Sequence, residues 1–228
     1  DAFNKRENNP VDWRIHVYTG PDYLEKLIEE KKGDIVVMAG KNHTRMEYIE
    51  KLNRTGFSVL ADKPWVIHAD GLPLLQAALE AERPLSMDIM TERFEITTML
   101  QKDFLAQADV FGEPRVDEDG SPTVFKESIH HLYKIVNDQP LVRPPWHFDI
   151  DVQGEGIVDV TTHLVDLIQW EAFPGVILDK RYLDIHSARR WTTDLTPEMF
   201  EYVTGLREYP SYLAQDVEED LLKVYANG

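Results

Sequence analysis

The chain has 228 residues, 43% of them hydrophobic and 10% aromatic, which is enough apolar material for one large core or two modest ones. Its 41 acidic against 24 basic residues give a formal net charge of -17, which argues against nucleic acid and anionic membrane surfaces as partners. The absence of cysteine excludes disulfides, zinc thiolates and cysteine nucleophiles, and no apolar run approaches the roughly 20 residues that cross a bilayer.

From Ile15 onward, short β-rich runs alternate with helical ones, the pattern of βαβ units in a parallel sheet. A strand is expected at Ile15 to Tyr18. Pro21 then opens a helix in which Leu24, Leu27 and Ile28 share a face and which Gly33 ends. Asp34 to Ala39 is a nearly unbroken apolar run and predicts a central strand buried on both faces. A second helix, about His43 to Thr55, carries Met46, Ile49 and Leu52 at helical spacing, with Gly56 at its end. The strand Phe57 to Ala61, a helix around Leu72 to Glu82 and the strand Pro84 to Met90 complete the series.

Beyond Thr91 one long helical stretch runs to about Ala108, and a segment rich in Pro, Gly and Asp follows from Gly112 to Pro122. A boundary is expected there, separating an α/β domain over 1–110 from an α+β domain over 111–228. The second domain is expected to hold one helix after Gly156 and another after Pro197. Lys223 to Gly228 reads as a strand followed by a hairpin turn, so the sequence is expected to be a piece of a longer protein.

In open parallel sheets ligands bind beyond the carboxyl ends of the strands. The residues there are Gly40, Lys41, Asn42 and His43 after one strand, Asp62, Lys63 and Pro64 after the next, and Asp88 to Arg93 after the last. A lysine in such a place transfers protons near neutral pH only where burial or nearby positive charge favours its neutral form. A second constellation spans Gly154 to Asp166. Read as one helix, it puts Asp159, His163 and Asp166 on one stripe, lets the Asp159 carboxylate orient the His163 imidazole or share a ligand with it, and leaves Gly154 and Gly156 room for a close ligand. Taken singly, each has an ordinary reading: Lys63 as a solvated turn lysine, and His163 on the exposed face of an amphipathic helix.

His130, His131 and Tyr133 form a further polar cluster, and Trp146, His147 and Phe148 an aromatic one that suits a sugar ring or, equally, a core. Glu155, Asp159 and His163, with His130 or His131, offer oxygen and nitrogen atoms but no recognised metal motif, so no metal is expected.

Asp62-Lys63-Pro64 resembles the Glu-Lys-Pro motif of the bacterial glucose-fructose oxidoreductase and inositol dehydrogenase (Gfo/Idh/MocA) family. Gly154 to Asp166 resembles that family's glycine-rich segment followed by Asp-x-x-x-His. Asn42 and Arg93-Phe94 fit further positions of the pattern, and the likeness is nearest to the branch with the so-called putative oxidoreductase C-terminal domain, across Gly154 to Trp170 and Ser187 to Thr193. The departures are Asp62 for the usual glutamate, Lys41 where proline is common, Arg45 where histidine is frequent, and no Gly-x-Gly-x-x-Gly turn.

The resemblance implies a partial Rossmann-type dinucleotide-binding domain followed by a substrate domain with a mainly antiparallel sheet. It implies NAD or NADP as cofactor, held by Gly40, Asn42, Asp62, Lys63, Pro64 and Arg93. Lys63, Asp159 and His163 would be catalytic, and Asp159 and His163 would face a sugar-like or cyclitol-like substrate, to which His130, His131 and Trp146 are added on the chemistry of their own clusters. A homo-oligomer is implied by the same analogy. An NAD-dependent glycosidase working by transient oxidation, and a non-catalytic sugar-binding protein on the same fold, remain open alternatives. The compartment, cytoplasmic or periplasmic, also stays open.

Overall fold

The computed structural model describes every residue except 1–3, 6–7, 9–10, 12–13, 116–117, 130 and 226–228. The first half follows the expected rhythm: α1 (Tyr23–Glu30), β1 (Ile35–Met38), α2 (Arg45–Arg54), β2 (Ser58–Ala61), α3 (Leu72–Glu80) and β3 (Ser86–Asp88). The three strands are parallel, in the order β1-β2-β3, with Val36 beside Val59 and Val59 beside Ser86. All three helices pack on one face of this sheet, where Leu24, Ile49, Leu52, Phe57, Val59 and Ala61 form a buried core.

Two expectations fail here. Residues 14–19 form no strand; Ile15 is 84% exposed, and the Tyr18 hydroxyl instead donates to Glu30 and accepts from Lys32 near the end of α1. Consequently, among the described residues β1 lies at the edge of the sheet, with Ile35 and Val37 exposed at 63% and 65% on the face that carries no helix. An apolar run specifies a strand that can be buried on both faces, but neighbours decide whether it is.

The expected helix from Thr91 to Ala108 is three pieces: a 3-10 helix (Thr91–Phe94), α4 (Ile96–Leu105) and α5 (Ala108–Phe111). Glu95 is extended between the first two, and the 3-10 turn is pinned through Arg93, which is held by Asp166 and Asp88. After it come the hairpin strands β4 (Ile135–Val136) and β5 (Gln139–Pro140), whose turn residues Asn137 and Asp138 take positive φ.

The second half continues with a 3-10 helix (Pro145–Phe148), α6 (Ile150–Gln153), α7 (Gly156–Asp159), α8 (Thr161–Ala172), β6 (Thr193–Leu195), α9 (Pro197–Thr204), β7 (Val217–Glu218) and β8 (Leu221–Val224). Thr196 caps α9 by accepting from Met199 N, and Pro197 occupies its first position. The last three strands form an antiparallel sheet in the order β6-β8-β7. Phe148, Leu195, Phe200, Leu213, Leu222 and Val224 bury against it as a second core. The fold class therefore stands as expected: α/β with a parallel sheet, then α+β with antiparallel pairing. The turn expected at 226–228 lies outside the described residues. Among the described residues no helix is long and apolar enough to cross a membrane.

Candidate active site

The end of β2 delivers Lys63 to the glycine-rich segment of the second half, 96 residues further along. Its Nζ donates to Asp159 Oδ1 and to the Asp159 backbone carbonyl, each at 2.7 Å, with both side chains largely buried. The second bond explains a departure from the expected continuous helix. In an unbroken α-helix the Asp159 carbonyl would accept from the amide of His163. Here His163 N donates to Val160 O at 3.1 Å instead, and the helix is divided into α7 and α8 with Asp159 free to serve Lys63. Among the described residues the Asp159 carboxylate thus hydrogen-bonds the lysine and Gln153 and not the His163 imidazole.

Two further residues complete the support. Gln153 Nε2 donates to the other carboxylate oxygen, Asp159 Oδ2, at 2.9 Å. The Gln153 carbonyl in turn accepts from Asn42 Nδ2 at 2.6 Å, and His43 N donates to Val152 O at 3.1 Å. Asn42, expected at a cofactor, is buried, and its amide nitrogen ties the loop after β1 to the second half. Gln153 was not legible as a site residue; its one signal is that it directly precedes Gly154.

Burial raises the Asp159 carboxyl, but the Lys63 charge, the hydrogen bonds from Lys63 and Gln153 and the His147 ring outweigh it and hold it below its ordinary 3.8. The unfolded chain then binds this proton more readily, so the stability contributed by Asp159 is whole above pH 3.8 and is lost as pH falls through the lower folded value. In urea unfolding, the gap between the parent protein and Asp159→Asn narrows as pH falls below 3.8; a gap that stays constant there contradicts the pairing.

Arg45, read from sequence only as a departure, is 1% exposed and braces the turns that carry the site. Its Nη1 donates to Pro64 O at 2.8 Å and its Nη2 to Gly40 O, while Nε has no hydrogen-bond partner among the described residues. Burial pulls the guanidinium below its ordinary range, opposed by Asp62 and Asp159. Arg93 is likewise occupied: Nε donates to Asp166 Oδ2 at 2.8 Å, Nη2 to Asp166 Oδ1, and Nη1 lies 3.3 Å from Asp88 Oδ1.

Gly154 is required by conformation, not by a ligand. With φ 89° and ψ 161° it occupies a region essentially restricted to glycine, and a Cβ there would sit 2.9 Å from Ile67 Cγ2. Gly154→Ala is expected to lower stability by about 1–3 kcal/mol, read as a shift in the urea midpoint; a midpoint unchanged from the parent would remove this account.

The remaining candidates separate. His163 Nδ1 lies 3.1 Å from Glu92 Oε2, close in distance but off the direction a hydrogen bond needs, so that buried nitrogen lacks an aligned partner. His131 is exposed and offers only its carbonyl, to Arg143 Nη2 at 3.3 Å; His130 lies outside the described residues. Trp146 is half-buried with Lys41 Nζ 5.5 Å above its ring, whereas Phe148 belongs to the second core. Among the described residues no group of three or more His, Asp and Glu could hold a metal ion.

A cavity of about 340 Å³ opens at the carboxyl ends of β2 and β3, lined by Lys63, Pro64, Trp65, Asp88, Met90 and Asp166. Its size and largely apolar walls with one cation suit a flat heteroaromatic ring. A larger cleft of about 960 Å³ shares Thr162 and Asp166 with it but lacks Lys63; neither is lined by Asp159 or His163, so Lys63 is what marks the smaller one as the candidate.

Residues 100–228 match the family described as "Putative oxidoreductase C terminal domain". The chain is similar to the crystal structure of a putative oxidoreductase from Parabacteroides merdae, with 49% identity and a TM-score of 0.87 over 99% of this chain and 52% of that one. It therefore spans about half the length of that relative. A looser likeness is to myo-inositol 2-dehydrogenase from Lactobacillus plantarum, at 14% identity and a TM-score of 0.46 over 67% of this chain and 40% of that one. Another is to the WlbA dehydrogenase from Thermus thermophilus in complex with NAD and alpha-ketoglutarate, at 20% identity and 0.43 over 67% and 46%. Likenesses this partial carry no argument about the site. No curated protein is significantly similar to the chain.

Proposed function

The chain belongs to the putative oxidoreductase C-terminal domain family, the branch its motifs resemble, and from that premise we propose that it is part of a nicotinamide-dependent oxidoreductase. Its substrate is a sugar-like or cyclitol-like alcohol or the corresponding ketone. The single observation that carries this reading is the Lys63 ammonium at 2.7 Å from the buried Asp159 carboxylate, beside the cavity at the strand ends.

An ammonium has three N–H donors. Asp159 takes two of those on Lys63, through its carboxylate and its carbonyl, which leaves one for a substrate oxygen. That donor stabilises negative charge on the oxygen as an alkoxide forms or a carbonyl is reduced. His163 takes the hydroxyl proton, and the hydrogen on the same carbon leaves with its electron pair. Bound NAD or NADP supplies the acceptor for that hydride. Lys63 and Pro64 fit the nicotinamide side of the cofactor, with Gly40 and Asp62 at the same strand ends; Asn42 and Arg93, already engaged, hold the surrounding turns in place. Trp146, His130 and His131 are assigned to the substrate side because an aromatic face beside hydrogen-bonding groups suits a sugar ring.

The test is a panel of hexoses, aminosugars and cyclitols offered to the full-length protein with NAD or NADP, followed by the near-ultraviolet absorbance of reduced nicotinamide. Net reduction is the expected result. Release of a glycosidic group without net redox change would establish the glycosidase chemistry instead, and no turnover of any kind despite cofactor binding would overturn the dehydrogenase reading.

A further inference from the structure

We propose that Glu92 is the positioning residue for His163: its carboxylate fixes the imidazole as the Nδ1–H tautomer and so leaves Nε2 as the atom that takes the substrate proton. The inference rests on the proposed role of His163 in proton transfer and adds the group that sets that role.

The argument starts from what a carboxylate can do. Ionised, it only accepts hydrogen bonds, so a ring nitrogen held against it must carry a hydrogen. Glu92 Oε2 lies 3.1 Å from His163 Nδ1, with the side chains 39% and 25% exposed, respectively. At this distance a rotation of the ring or of the carboxylate brings the two atoms into hydrogen-bond alignment.

The charged neighbours closest in sequence to the two groups are engaged elsewhere. Arg93, the cation nearest Glu92 in sequence, is held by Asp166 and Asp88. Asp159, the carboxylate one turn before His163, is committed to Lys63 and Gln153. Among the described residues, His163 is the one basic side chain within ion-pairing distance of Glu92. Glu92 can hold it because the 3-10 turn Thr91–Phe94, docked by Arg93, places the two side by side. With Nδ1–H facing the carboxylate, the neutral imidazole has one lone pair left, on Nε2. A proton moving from a substrate hydroxyl to Nε2 gives an imidazolium whose charge the Glu92 carboxylate stabilises.

Nitrogen-15 spectra of the full-length protein, labelled in histidine and recorded above the pH at which imidazoles titrate, read the tautomer directly, with His163→Gln identifying the resonances. The expected result is Nδ1–H in the parent and in Glu92→Gln, whose amide oxygen still accepts, but Nε2–H or a mixture in Glu92→Ala. Turnover falls about 10- to 100-fold in Glu92→Ala and is partly restored in Glu92→Gln. An Nε2–H tautomer in the parent, or one unaltered by Glu92→Ala, overturns the proposal. The tautomer does not depend on cofactor or substrate, so a protein that binds neither would sink the oxidoreductase reading while leaving this one to be decided by the spectra.

Discussion

Replacement of Lys63 by alanine lowers turnover by about 10²- to 10⁴-fold, the usual effect of removing a positioned proton-transfer or charge-stabilising group. The loss falls on kcat more than on KM, because the free N–H of Lys63 meets its strongest acceptor only as negative charge builds on the substrate oxygen. The same change takes the cation away from the buried Asp159 carboxylate, which keeps the hydrogen bond from Gln153, so some stability is lost as well. Lys63→Arg separates the two effects: it keeps a cation beside Asp159 but not the compact geometry, and its turnover stays low while its stability recovers. Steady-state kinetics beside urea unfolding of both variants checks this, and more than a tenth of parental turnover in a folded Lys63→Ala protein would contradict the assignment.

Replacement of Arg45 by alanine is expected to give the largest loss of stability, about 3 kcal/mol or more. Two backbone carbonyls, at Gly40 and Pro64, lose their donor, at about 1–3 kcal/mol each, and the volume of a fully buried guanidinium is left empty. Lysine cannot restore both bonds, because one ammonium does not reproduce the fork that reaches two separate turns. Since these turns end β1 and β2, Arg45→Ala also loosens Lys63 and weakens cofactor binding. Urea midpoints resolve the stability term, and a difference below about 1 kcal/mol would show that the brace is dispensable.

Arg45 also shows where reading the sequence stops. The motifs named Lys63 and Asp159 as partners in one site, and the structure joins them across 96 residues. The alternation of strand and helix from Asp34 to Met90 was legible because it depends on local periodicity and on turn residues such as Gly56. What depends on partners was not. Ile15 to Tyr18 has the composition of a strand, yet the segment forms none, with Ile15 and Val17 exposed and the Tyr18 side chain held at the end of α1. The helix from Gly156 reads as continuous because its side-chain spacing is helical, whereas the break at Val160 arises when Lys63 claims a backbone carbonyl.

Residues that act by supporting others were the hardest to find. Arg45 looked like a lost histidine position, Gln153 an ordinary polar residue before a glycine, and Glu92 a neighbour of the more conspicuous Arg93. Arg45 works through Pro64, Gln153 through Asp159 and Asn42, and Glu92 through His163, and no sequence period encodes such contacts. The antiparallel sheet was legible in class but not in detail. Its β7–β8 turn uses Glu219 and Asp220 at positive φ, where sequence patterns lead one to expect glycine or asparagine.

The most direct test of the central claim is calorimetric titration of the full-length protein with NAD and NADP, alongside the Lys63→Ala variant. The account predicts saturable binding of one or both cofactors to the parent protein, retained in the variant because Lys63 is assigned to the reacting end of the cofactor alone. Absence of binding of either cofactor to a folded, full-length protein would contradict the redox mechanism and leave a sugar-binding role on the same fold in its place.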